Sequence, residues 1–166
     1  TGEQQERLGA GLPYSVPRGT YRCADGEWVG LSTSSESVAA RVLRVLGADD
    51  DPRFVDFASR MRHRAELEQI MTAWCAARPR DEVVATFTAA EAAIGPVMTM
   101  ADIAADEHYR ARDAIVELDG TPMQGLLAKL SATPGALRWK GRRLDEDGDT
   151  IRASGWGVFD GEEPSP

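Results

Sequence analysis

Two Asp-Gly pairs, Asp25-Gly26 early in the chain and Asp119-Gly120 late, each stand between short runs of strand-forming residues. Glycine accepts the positive φ that a tight hairpin turn demands, so each pair predicts two antiparallel strands at a defined place. The first set, Thr20-Tyr21-Arg22-Cys23-Ala24 and Trp28-Val29-Gly30-Leu31-Ser32, predicts a hairpin over 20–32. The second, Ala114-Ile115-Val116-Glu117-Leu118 with Gln124 to Leu130 as its partner, predicts another strand pair. What lies between them reads as helix. Strands at both ends and helices in the middle predict an α+β fold: one small antiparallel sheet, made of the early hairpin and the late pair, with several helices packed on one side.

The helices announce themselves by period and punctuation. Ser32-Thr33-Ser34-Ser35 offers N-cap hydroxyls for a helix near 35–46, in which Val38, Val42, Val45 and Leu46 form one stripe and Gly47 ends it. After the turn Asp49-Asp50-Asp51-Pro52, a short helix is expected over 53–60. Leu67, Ile70, Met71, Trp74 and Cys75 recur at i, i+3, i+4, i+7 and i+8, and Pro79 stops that helix. Asp81 is the expected cap of the next, which carries Val83, Val84, Phe87 and Ala90. Gly95-Pro96 reads as an interruption, and 101–112 as one or two short helices with a boundary near Asp106. Gly9, Gly11, Pro13 and Pro17 make residues 1–19 a linker or arm, leaving 20–144 as the domain and 145–166 as an acidic Gly- and Pro-containing tail with a poorly ordered end.

The net charge of −8 is uneven. Seven acids and one base fall in residues 145–166, a net of −6, which leaves −2 for residues 1–144. The acidic balance argues against nucleic acid as partner, because such binding depends on clustered Lys and Arg that release phosphate counterions. Apolar runs fall short of the roughly 20 residues that span a bilayer, and the first residues show no signal segment, so a cytoplasmic protein with no membrane partner is expected. Thr1 in place of Met suggests that it is not a natural translation start. Cys23 and Cys75 lack CxxC spacing and nearby histidine, and are expected as buried free thiols. At 166 residues the chain can bury roughly 70% of its unfolded surface without disulfide or metal.

Residue chemistry alone yields few sites. Asp145-Glu146-Asp147-Gly148-Asp149 imitates a calcium loop but has Thr150 where glycine is needed and Trp156 where glutamate is needed, so a solvated acidic turn is expected and no metal. Asp49-Asp50-Asp51 reads as turn chemistry before Pro52. Arg138, Lys140, Arg142 and Arg143 could meet a phosphate-bearing ligand, against the plainer reading of a basic strip neutralised by the acids that follow. His63 and His108 read as surface residues. The signatures of mononucleotide loops, serine hydrolases, zincins and dinucleotide-binding folds do not occur.

Taken in order, a further set of segments carries more. Pro17-Arg18-Gly19-Thr20-Tyr21-Arg22-Cys23-Ala24-Asp25-Gly26-Glu27-Trp28-Val29, Leu46-Gly47 and Asp51-Pro52-Arg53-Phe54 resemble the C-terminal half of family III CoA-transferases, the carnitine/formyl-CoA (CaiB/BaiF) type. Arg64-Ala65-Glu66-Leu67, Trp74 with Arg78, Ile94-Gly95-Pro96-Val97, Ala111-Arg112 and Ser131-Ala132-Thr133-Pro134-Gly135 continue the resemblance, which covers roughly residues 7–145.

The resemblance implies a two-domain enzyme in which a large α/β domain binds CoA and carries a nucleophilic aspartate, while the small domain, which this chain resembles, covers the active site. The large domain of the same enzyme is the implied partner, and two full chains are implied to interlink as a homodimer. Coenzyme A or acyl-CoA is the implied substrate, with no covalently bound cofactor. The nucleophile segment has no counterpart here, so this portion is expected to be inactive alone and no residue of it is assigned as catalytic. The resemblance places Ser32, Ser34, Ser35 and Glu36, together with Gly95 and Pro96, on the active-site side. Against that stand helix capping for the serines and turn geometry for Gly-Pro. α-Methylacyl-CoA racemases of the same family use an acid in a Gly-x-x-Glu-Pro segment; Glu36 lies near that place, but Ser37 follows it. The late Gly-Glu-His-Thr-like element survives only as Asp145-Glu146-Asp147-Gly148, and the family's C-terminal helix is expected to be replaced by the acidic tail. A stand-alone module that binds a partner without catalysing anything is the reading from outside enzymology.

Overall fold

Tyr21, Val29 and Leu31, all buried, alternate with more exposed neighbours along the first hairpin, which is the pattern of strands with one face on a core. In the computed structural model, which describes residues 2, 4 and 7–159, they lie on β1 (Arg18–Arg22) and β2 (Trp28–Ser32). The pair is antiparallel, with Tyr21 opposite Val29, and closes through Gly26 at φ 87°. The chain divides into two compact units, Thr1–Met98 and Thr99–Pro166.

In the first unit the hairpin is followed by α1 (Glu36–Leu46), a 3-10 turn at Pro52–Phe54, α2 (Phe57–Arg62), α3 (Arg64–Ala76), α4 (Arg80–Ala89) and β3 (Ala93–Pro96). One cluster joins Tyr21, Val29 and Leu31 of the hairpin to Val42 of α1, Met71 and Cys75 of α3, and Val83 and Phe87 of α4. A second joins Val16, Leu43, Ala48, Phe54 and Leu67. The predicted α3 stripe is therefore the floor of both clusters. Each Leu or Phe side chain so buried is worth roughly 1.5–3 kcal/mol of removal from water. Cys23 and Cys75 are both free and buried, and burial pushes the Cys75 thiol up to about 12. The segment read as a peripheral arm ends inside this unit, with Ser15 and Val16 buried.

The second unit contains α5 (Met100–Ala105), α6 (Glu107–Ala111), β4 (Ile115–Leu118), β5 (Thr121–Gln124), α7 (Gly148–Ser154) and a 3-10 turn at Trp156–Phe159. Thr99 and Asp102 form a reciprocal capping box at the start of α5, and Asp106 caps α6, so the expected boundary near Asp106 is real. No helix among the described residues is long and apolar enough to cross a membrane.

The α+β class stands, and both strand pairs form, but in separate sheets: three strands in the order β1-β2-β3, and the two-stranded β4-β5. The third strand of the first sheet is Ala93–Pro96, where an interruption was expected. It lies antiparallel to β2 as an edge strand, with Pro96 at its last position, where the missing N–H costs no ladder bond. Asp119 and Gly120 both have positive φ (49° and 71°), the requirement of a two-residue type I′ turn. That turn fixes Leu118 opposite Thr121, so the partner strand is Thr121–Gln124 and not the expected 124–130. The single helix expected over 53–60 is a 3-10 turn and a capped helix, broken at Asp56, whose carboxylate accepts from the Ser59 N–H. Asp81 lies in the first turn of α4 with Pro79 at the cap position. In place of a tail without helix, α7 forms; Arg152 in its last turn pairs with Asp145 at 3.0 Å and Asp149 at 2.7 Å. The expected disorder at the very end falls on residues outside those described.

Candidate functional site

The short polar run that follows β2 builds a cleft. Thr33 is buried at the end of the hairpin; its hydroxyl donates to the Pro17 carbonyl at 2.8 Å, and the Ser15 hydroxyl donates to the Thr33 carbonyl at 2.8 Å. These two bonds clamp residues 15–17 against the start of α1. The other face of the same segment is held by α3: Glu68 accepts from the Arg18 backbone N–H at 3.2 Å and from the Tyr21 hydroxyl at 2.7 Å, and Arg64 donates to the Leu12 and Ser15 carbonyls. Burial, and then the Glu68 carboxylate, raise the Tyr21 hydroxyl well above the usual phenol range, so it stays a donor.

Between this clamped segment, the N-terminus of α1 and helix α2 lies an opening of about 300 Å³. Its polar lining includes Ser34, Ser35, Glu36, Arg18 and Arg60 beside the clamped Ser15 and Thr33, and Tyr14 and Phe57 form exposed aromatic walls. Ser35 is the N-cap of α1, accepting from the Val38 N–H at 3.3 Å. The Ser34 hydroxyl is exposed. Glu36 extends from the first turn to Arg60, Oε1 to Nη2 at 2.7 Å.

Arg60 is the unusual group. It is 3% exposed, although arginine is seldom fully buried. Nη1 donates to the Phe54 carbonyl at 3.3 Å and Nη2 to Glu36, while Nε–H has no acceptor among the described residues. Arg18 is half-buried, and its guanidinium has no ion-pair partner among the described residues. The cleft thus carries two guanidinium charges against one carboxylate.

Of the six residues singled out in the sequence, Ser34, Ser35 and Glu36 line this cleft. Ser32 lies at the end of β2, opposite Arg18 on one side and Ala93 on the other. Gly95 and Pro96 are on β3, opposite Gly30 and Val29, and are not in the lining. Arg18 and Arg60 were not singled out. Arg18 stands inside the Pro-Arg-Gly segment that carries the resemblance, whereas no local signal marks Arg60, whose burial is set by tertiary packing.

Elsewhere the charged candidates close on themselves. Asp51 accepts from Arg53 through both carboxylate oxygens, which holds it down to about 2. Arg142 pairs with Glu146 and Asp147, and Lys140 donates to the Asp119 carbonyl. His63 contacts Glu66 at 3.2 Å, and His108 is exposed. No group of three or more metal-ligating side chains is present among the described residues. The second unit holds an apolar depression of about 290 Å³, lined by Met100, Ile103, Tyr109, Ile115 and Met123 among others, without a charged group to select a ligand.

Comparison with known proteins adds what geometry does not. The family model described as CoA-transferase family III matches residues 1–148. A succinyl-CoA–D-citramalate CoA-transferase of Chloroflexus aurantiacus is 30% identical over 154 residues, 88% of this chain and 38% of that protein. The beta subunit of a succinyl-CoA–L-malate CoA-transferase from the same organism is 27% identical over 89% of this chain and 38% of its own length. The crystal structure of a CAIB/BAIF family protein from Brucella suis superposes with a TM-score of 0.71 at 25% identity, covering 92% of this chain and 41% of that one. The chain therefore spans about two fifths of the length of the relatives it matches.

Proposed function

Because this chain belongs to CoA-transferase family III, we propose that it is the C-terminal small domain of an acyl-CoA transferase that moves CoA between carboxylic acids. The reading is carried by one observation: the family match runs through residues 1–148, while the relatives are more than twice as long as the part matched. In such an enzyme a carboxylate attacks the thioester carbonyl, a C–O bond forms, the C–S bond breaks and CoA leaves as thiolate. The thiolate then attacks the enzyme's carboxyl in the mixed anhydride, freeing the first acid and leaving an enzyme–CoA thioester. The acceptor carboxylate attacks that thioester, CoA thiolate leaves again, and its attack on the acceptor carbonyl of the second anhydride gives the new acyl-CoA and restores the enzyme's carboxylate. One difficult exchange becomes several easier ones. No carboxylate of this chain is assigned as the nucleophile; that role belongs to an aspartate of the large domain, which is the proposed partner, with two full chains interlinked as a dimer in the cytoplasm. Glu36 is held by Arg60 and, in this reading, serves the cleft as a charge partner and not as a base.

The test mixes this chain with an acyl-CoA and a free carboxylic acid and follows CoA exchange, first alone and then joined to the large domain. No exchange is expected alone and exchange is expected when joined. Turnover by the chain alone would overturn the assignment of the nucleophile, and absence of exchange by the joined protein would overturn the function.

A further inference from the structure

We infer that the apolar depression of the second unit is a docking face and that its occupant, which rests on the CoA-transfer reading, is the large domain of the same enzyme. The second unit buries too little of itself to stand without cover. Its helices α5 and α6 have six and five residues, and its strands β4 and β5 have four each. Its one buried hydrophobic side chain among the described residues is Ala114. Helices shorter than about 12 residues are marginal in water, and so is a lone two-stranded hairpin; both persist by packing an apolar face on something else. Such faces are present and converge. Met100 and Ile103 of α5, Tyr109 of α6, Ile115 of β4, Met123 of β5 and Leu127 just after it line one opening of about 290 Å³. All six keep exposed surface, Met100 as much as 68%.

Three occupants compete for such a surface. A small-molecule site needs a few polar groups placed to orient its ligand, and no charged side chain lines this opening. A second copy of the chain would bring like charge to like: residues 99–166 hold 13 acids and 8 bases, a net of −5, so two such units pressed face to face repel. The large domain is favoured by continuity. The relatives are more than twice as long as the part matched, and a domain carried on the same chain meets this face at the effective concentration of linked modules, on the order of millimolar. Met100 and Met123 suit the role, because unbranched thioether side chains adapt to the shape of whatever covers them.

The chain has five methionines, so labelling their methyl carbons gives a small set of NMR signals that includes both walls of the depression and buried Met71. In the 166-residue chain, a soluble gadolinium chelate is expected to broaden the Met100 and Met123 signals and to spare Met71. In the chain joined to the proposed large domain, Met100 and Met123 are expected to be spared as well. Broadening that persists there would overturn the docking face. Sparing already in the chain alone would overturn the occupant, and a doubled mass in sedimentation would then assign the face to a second copy. Met100→Glu supplies a second measurement on a side chain that the separate chain leaves exposed. It is expected to change the amide exchange of β4 and β5 by less than about twofold in the chain alone and to speed it about tenfold in the joined protein. Equal effects in the two would also overturn the docking face. If the joined protein transfers no CoA while Met100 and Met123 are spared, the function fails and the docking stands; if it transfers CoA while both remain broadened, the docking fails and the function stands.

Discussion

At the scale of single residues, the first unit leans on carboxylates that are committed in the folded state. Asp51 is the clearest: Arg53 grips both of its oxygens, its Oδ1 also accepts from the Arg53 N–H, and its carboxyl is held at about 2. Asp56, which caps α2, and Glu66, which accepts from its own backbone and from His63, are lowered by the same kind of bond. A carboxyl whose folded value lies below its unfolded value, about 3.9 for aspartate, contributes stability that is fully present above the unfolded value. That contribution disappears as pH falls through the folded value. The urea midpoint of the first unit, followed through amide signals of α2 and α3, should therefore fall between about pH 4 and about pH 2. Asp51→Asn should lower the midpoint at neutral pH and flatten part of that acid slope. A slope unchanged in the variant would show that the Asp51–Arg53 pair contributes nothing, as many exposed ion pairs do.

At the scale of elements, α1 shows how a helix end is written in two residues. Gly47 stands at φ 66°, its N–H donates to the Arg44 carbonyl at 3.1 Å, and the Ala48 N–H donates to the Leu43 carbonyl at 2.9 Å. These are the two bonds of a Schellman closure, and Leu43 and Ala48 share the second core cluster as that closure requires. A Cβ at Gly47 would meet nothing within 4 Å, so substitution is penalised through backbone conformation alone. Gly47→Ala should cost about 1 kcal/mol, read as a lower urea midpoint with unchanged native spectra, and Gly47→Asn should cost less. Helices of this kind were legible because period and punctuation agree along one stretch of chain, as Leu67, Met71 and Cys75 with Pro79 do. The strands were less so. Ala93–Pro96 contains the residues that usually end an element, and only an edge place beside β2, set by residues far back in the chain from Val29 to Ser32, makes a strand of it. β5 was placed too late because the register follows from the turn geometry at Asp119-Gly120, not from the apolar run after it.

At the scale of the molecule, the cleft was legible in half. Ser34, Ser35 and Glu36 follow one another after the hairpin and could be marked together, whereas Arg18 and Arg60 come to them only through the Thr33 clamp and the packing of α2. Burial of a cation is a tertiary fact with no local signature. The same distinction separates the two units. Leu67, Met71, Cys75, Val83 and Phe87 have no exposed surface at all in the first, while Ala114 is the one buried hydrophobic side chain recorded among the described residues of the second. In the second unit α5 and α6 bury no residue, and Met100, Leu127, Leu130 and Trp139 are exposed. Local opening free energy follows buried apolar contact, so amide hydrogen exchange should divide the chain in the same way. Amides of α3, α4 and β2 are expected to exchange only through global unfolding of the first unit, and those of α5, α6, β4 and β5 at least tenfold faster, a difference of about 1.4 kcal/mol in opening free energy. Equal protection in β2 and β4 would mean that the second unit is held by something other than its own side chains. In the chain joined to the proposed large domain, a rise in protection confined to the second unit would identify that unit as the one whose core is completed from outside.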